Sequence, residues 1–270
     1  MDILAIIALL LAGCAAGLLA GYFAIDVGLF LLPLLLVWYS WSHVSGLVAA
    51  QLALGTTVIV SGIASIPTIA IDQRDGYVAW KDVLVFAGAG VVGGIAAGFF
   101  AVSLTYETLV RFIGVVAFIA GAQLFGQRRK PKDAGSQVTM RPMKLGIYGF
   151  ISGVFAALTG VANKVVAQRL LYTQLKIPLK RSSGTATASC AVIFLAAGMA
   201  FAVGGLGQRS LPPYSLGFLD TLSAIPLGIG ATLFTHIGAR LGEEHVSRNA
   251  RLALGLILLA VALKLLIAPQ

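Results

Sequence analysis

Three charged residues stand where a membrane chain can least accommodate them. Asp26 is the lone charge in the apolar stretch from Ile3 to Trp38, within Ala24-Ile25-Asp26-Val27-Gly28. Lys164 and Arg169 belong to the later stretch Gly160-Val161-Ala162-Asn163-Lys164-Val165-Val166-Ala167-Gln168-Arg169. A charge at bilayer depth costs roughly 2.5–3.5 kcal/mol on insertion scales, so it marks a function or a partner. Opposite signs in two separate breaks suggest that Lys164 pairs with Asp26, leaving Arg169 as surplus positive charge. Short helices beginning just after each break, over 29–40 and 165–175, aim backbone N–H groups at the same space. Two helix N-termini plus a net cation favour a bound anion. A purely structural Asp–Lys pair locking two parts of the chain together is the competing reading, and the two are compatible.

Uncharged hydrogen-bonding groups cluster on two later helices. One carries Gln51-Leu52-Ala53-Leu54-Gly55-Thr56-Thr57 and Ser61, the other Arg181-Ser182-Ser183-Gly184-Thr185-Ala186-Thr187-Ala188-Ser189. Such hydroxyls serve an oxyanion, their own helix carbonyls or a neighbouring helix. Thr185 and Gln51 are the expected ligand contacts among them. His236 titrates near neutral pH and is a candidate proton relay, against the plainer reading of a satisfied buried histidine. Glu107 and Arg111, four apart at a helix start, read as a local pair. No metal-ligand set, nucleophile–base spacing or phosphate loop is present, so catalysis, a metal and a cofactor are not expected.

The elements positioning these residues are membrane helices. Hydrophobic residues make up 59% of the 270-residue chain and charged residues 11%, less than half the charge of a typical soluble domain. Glycine, at 32 residues, lets membrane helices approach closely. The first apolar run lacks a basic start and continues past Gly21, unlike a removable signal. Cys14 and Cys190 lie in apolar stretches and read as packing residues. The net charge of +9 sits mostly between apolar runs, which points to membrane orientation rather than nucleic acid.

The pattern predicts ten helical elements over 3–23, 29–40, 43–71, 82–104, 107–126, 144–160, 165–175, 179–205, 217–240 and 247–267. The chain divides into a first transmembrane repeat (1–126), a basic cytoplasmic linker (127–143) and a second repeat (144–270). Gly93, Gly94 and Gly98 correspond to Gly228, Gly230 and Gly238 at an offset of about 135 to 140 residues, an internal duplication that places a site between repeats. Matching Gly-Thr pairs aligns Thr56 with Thr185, whereas counting from the breaks aligns Ala49. Basic clusters in the linker, around Arg240, Arg248 and Arg251, and around Lys176, Lys180 and Arg181 share one side if every element crosses. The expected fold is therefore an all-α polytopic membrane protein. It comprises two inverted repeats of about five elements each, with broken or re-entrant helices at the midplane. Elements 29–40 and 165–175 are too short to span a ~30 Å core alone.

Several stretches together resemble the sulfite exporter TauE/SafE family, also called the toluene-sulfonate uptake permease family. They are Asp26-Val27-Gly28 with Pro33; Gly160 through Arg169; the Pro-Leu-Lys-Arg-Ser-Ser-Gly-Thr run from Pro178; and Pro226 to Gly238 followed by Ala239-Arg240-Leu241-Gly242. The family's triple-glycine breaks are altered here to Asp26-Val27-Gly28 and Ala162-Asn163-Lys164, and its second proline is Arg169. The resemblance implies transport of a small sulfur-containing anion such as sulfite or a sulfonate across a bacterial cytoplasmic (inner) membrane, with proton coupling. The expected binding residues are Lys164, Arg169, Asn163, Gly28, Thr185 and Gln51, with Asp26 and His236 in coupling or ion-pair roles. The partners are the anion and the lipid bilayer, with a homo-oligomer possible. The alternatives are a carrier of a cation or neutral solute using Asp26, and a non-transporting scaffold or channel.

Overall fold

The computed structural model describes residues 3–42, 44–126, 142–160, 163–173, 178–208, 210–245 and 248–267. The elements in chain order are α1 (Ile3–Phe23), α2 (Gly28–Trp41), α3 (Gly46–Ala64), α4 (Ile66–Arg74), α5 (Trp80–Ser103) and α6 (Tyr106–Gly126), then α7 (Pro142–Thr159), α8 (Asn163–Thr173), α9 (Leu179–Gly204), β1 (Ser215–Leu216), β2 (Leu219–Asp220), α10 (Thr221–His245) and α11 (Arg248–Ile267). Among the described residues, six segments are long and apolar enough to cross a membrane: α1, α3 with α4, α5, α7, α9 and α10. The chain is an all-α polytopic membrane protein carrying one two-stranded antiparallel ribbon. Most of the predicted linker, residues 127–141, lies outside the described residues.

The packing of the outer helices follows from their small residues. Without a hydrophobic force between helices in lipid, close backbone approach does the work. Gly13, Gly17 and Gly21 recur every fourth residue and form one stripe on α1. A Cβ at these positions would lie 2.5, 2.6 and 2.1 Å from the carbonyl oxygens of Leu227, Ala231 and Thr235 on α10. Gly230 and Gly238 of α10 are closed in the same way by Leu10 and Leu18 of α1. The mirror-image arrangement joins α7 to α5: Gly149 and Gly153 sit against the carbonyls of Phe86 and Gly90, and Gly93 against that of Phe150. Each early helix of one half thus packs along a late helix of the other, while α6 lies along α11. Gly93 and Gly230 each lie against the backbone of an early helix, α7 and α1. Gly98 instead faces Ala200 of α9, and Gly228 has open space before it.

The centre is formed by α3 and α9, which pack on each other and carry the densest burial. Here lie Leu52, Leu54, Val58, Val60, Ile193, Phe194 and Phe201, all fully enclosed.

Two boundaries depart from expectation. The predicted element 43–71 is two helices meeting at Ser65. Pro67 has no N–H to give Ile63 and its ring would strike that carbonyl, so the helix ends and restarts. Ser65 tidies the junction, its N–H donating to the Gly62 carbonyl and its Oγ to that of Ser61 at 2.8 Å. The element expected from 217 begins at Thr221, because residues 215–220 form the ribbon. Gly217 turns it with φ of 56° at the first central position, as type II′ hairpins favour.

Candidate functional site

The two breaks meet. α1 terminates with Ala24 in the left-handed region, φ 55°, and the Ile25 N–H reaches back to the Ala20 carbonyl at 2.9 Å. This is a Schellman-type ending in which glycine is the usual occupant. α7 ends at Gly160, also left-handed with φ 58°, whose N–H returns to the Ala156 carbonyl as in the simpler αL ending. The Gly160 carbonyl then presses on Gly28, the first residue of α2, so closely that a Cβ at Gly28 would stand 2.2 Å from it. Helices α2 and α8 start from this contact. At 1.5 Å per residue they measure about 21 and about 17 Å, short of a ~30 Å core.

Asp26 is 6% exposed, and its Oδ2 accepts a hydrogen bond from the backbone N–H of Lys164 at 2.9 Å. That amide is one of the four at a helix start that lack an intrahelical acceptor. A carboxylate there also meets the positive end of the helix dipole. Asp26 therefore caps α8 from the opposite half of the chain. Asp26 and Lys164, expected to pair through their charges, meet here through carboxylate and peptide amide. Among the described residues the ion pair is Glu107 with Arg111, one turn apart on α6. The Lys164 side chain is half-buried. Asn163 and Arg169 are placed on α8, and their side chains lie outside the described residues.

The polar groups of α3 and α9 divide into the committed and the uncommitted. Gln51 is 3% exposed and donates from Nε2 to the Val102 carbonyl at 2.7 Å. Thr185, fully buried, accepts the Ala79 N–H at 3.2 Å. Thr56 does the same for the Asp220 N–H at 3.1 Å. The preceding glycines repeat the match, Gly55 lying against the Phe218 carbonyl and Gly184 against that of Tyr77. A Gly-Thr step in each half thus receives the chain just before the late helix of the other half. Thr56 and Thr185, matched in one of the two alignments considered, thus make like contacts. Thr187 and Ser189 bond the carbonyls four residues back, Ser183 and Thr185. Thr57 and Ser61 are buried, and neither side-chain oxygen has a partner among the described residues. His236 is half-buried on α10.

Sequence reasoning missed a second buried carboxylate. Asp220, 5% exposed, opens α10: Oδ1 accepts the N–H groups of Leu222 and Ser223, and Oδ2 accepts Ser223 Oγ at 2.6 Å and Tyr39 Oη at 3.0 Å. The signal was available. An Asp directly before an apolar helical run, with Ser three residues later, is an N-cap pattern. The reach from Tyr39 to Asp220 had no sequence signal.

Apolar helices, with two interrupted segments meeting inside the bundle, define a polytopic membrane protein of a plan that transporters use. The family model of the sulfite exporter TauE/SafE matches residues 8–265. The chain belongs to the sulfite exporter TauE/SafE family. A Haemophilus influenzae protein described as "Probable membrane transporter protein" is 28% identical over 263 residues, covering 95% of this chain and 96% of the relative. No solved structure matches the chain.

Proposed function

We propose that the protein is a secondary carrier for a small sulfur-containing oxyanion, sulfite or a sulfonate, in the bacterial cytoplasmic membrane. Its halves, 1–126 and 144–270, would be inverted repeats joined by the basic segment 127–143. The observation that carries this reading is the meeting of the α2 and α8 N-termini at the Gly28–Gly160 contact, with Lys164 beside it. Helix N-termini favour negative ligands. With Asp26 spent on capping α8, Lys164 and Arg169, both on α8, would give the region net positive charge. A carboxylate already holding an amide is a poorer ligand for a cation, which weighs against the cation-carrier alternative. Proton coupling falls to Asp26 or His236. Family membership supports the sulfur-anion class.

The test is uptake of radiolabelled sulfite and sulfoacetate into proteoliposomes. Saturable, gradient-dependent uptake is expected, abolished by Lys164→Ala and by Arg169→Ala. Normal uptake in both variants would remove the proposed site, and absence of any anion flux in the wild type would remove the function.

A further inference from the structure

Most hydroxyls on membrane helices here have found acceptors or donors. Thr159, Thr187, Ser189 and Thr235 each donate to the carbonyl four residues back, and Thr56 and Thr185 receive backbone N–H groups. Thr57 and Ser61 depart from this, as Thr232 on α10 does. Thr57 and Ser61 are 0% and 2% exposed, lie one turn apart on the same face of α3, and neither Oγ has a partner among the described residues. A buried hydroxyl without a bond is disfavoured in the folded state and calls for an explanation. Their position supplies one. The site where a Cβ of Gly28 would stand is 3.0 Å from Ser61 Oγ and 3.0 Å from Thr57 Cγ2. Ser61 therefore turns its unspent hydroxyl, and Thr57 its methyl, to the α2 N-terminus at the point where Gly160 closes the break; a χ1 rotation brings the Thr57 hydroxyl to the same place.

We propose that Thr57 and Ser61 are the α3 contacts of the transported oxyanion, donating to its oxygens where the α2 and α8 N-termini converge. This rests on the anion-carrier reading above and adds to it two neutral donors on a central helix. Neither oxygen is exposed here, so the ligand reaches them when α2 shifts from α3 at Gly28. The anion then makes the bonds this conformation leaves unmade and favours the shifted state by its differential contacts.

The test uses the purified full chain in lipid nanodiscs, titrated with sodium sulfite and sodium methanesulfonate, with the melting temperature recorded without anion. Thr57→Val and Ser61→Ala are each expected to weaken binding about ten-fold or more, as loss of a hydrogen bond to a charged group does. Unliganded melting should be unchanged or raised, because an unsatisfied buried group has been removed. Thr57→Ser should retain affinity, and Thr187→Val, whose hydroxyl is bound to its own helix, should bind as the wild type does. Unchanged affinity in the Thr57→Val/Ser61→Ala double variant would overturn the inference and leave the carrier reading standing. Weakened binding accompanied by a fall of several degrees in unliganded melting would overturn it too, by showing a packing role. A wild type that binds neither anion would overturn both.

Discussion

The Oδ2 atom of Asp26 and the peptide nitrogen of Lys164 lie 2.9 Å apart, across 138 residues of sequence. One half of the chain thereby caps a helix of the other, and among the described residues the Lys164 ammonium is in no ion pair. A charge pair would have tied up both ionic groups. A carboxylate–amide cap consumes only the acid.

This arrangement separates side chain from backbone at position 164. Lys164→Ala keeps the amide, so melting of the purified protein should change little while anion uptake falls. Lys164→Pro removes the N–H at a first-turn position that otherwise tolerates proline. It should lower stability by about 1–3 kcal/mol, the cost of an orphaned buried acceptor. Equal melting of the two variants would contradict the cap.

At Asp26 the cap and the charge are separable. Asparagine caps helices about as well as aspartate, whereas alanine costs about 0.5–2 kcal/mol. Asp26→Asn should therefore melt near wild type and Asp26→Ala below it. If the carboxyl carries the coupled proton, Asp26→Asn loses gradient-driven uptake despite its stability, which a pH-jump flux assay reads directly.

Gly28 and Gly88 make a contrasting pair. A methyl at Gly28 meets the Gly160 carbonyl at 2.2 Å, so Gly28→Ala should force the breaks apart and abolish transport. Gly88 on α5 has nothing within 4 Å. Gly88→Ala should be neutral or stabilise by up to about 1 kcal/mol, through helix propensity. Uptake and thermal denaturation measured side by side distinguish the two.

Tyr39 ties the end of α2 to the start of α10 through Asp220. Tyr39→Phe removes one donor from a buried carboxylate that keeps three others, and should cost about 1–3 kcal/mol. Asp220→Ala strips the N-cap and the Tyr39 contact together and should cost more. A Tyr39→Phe protein as stable as wild type would show that the bond contributes nothing.

The α1–α10 and α7–α5 seams predict paired failures. Gly17→Val and Gly153→Val each drive a branched side chain into a facing backbone, already 2.6 and 1.9 Å from a single Cβ. Both should abolish a monodisperse folded species on size-exclusion chromatography in detergent. Gly146→Ala, whose nearest neighbour is 3.9 Å away, should not.

Membrane class, helix number to within one break and the locations of the interruptions were determined by the residues alone. Hydropathy, proline and glycine act over a few neighbours, and a break such as Ala24 to Gly28 is written locally. The family's ordered motifs were legible in the same way. What tertiary structure alone decided was the partner of each polar group. Gln51 and Thr185, singled out for a ligand, reach the Val102 carbonyl and the Ala79 amide, while the hydroxyls of Thr57 and Ser61 have no partner among the described residues. Residues of one type on one helix are equivalent in sequence, and only the helix packed opposite, often more than a hundred residues away, determines which hydrogen bonds are made. The same holds for Asp26: its charge could be read from the sequence, but the atom it holds could not.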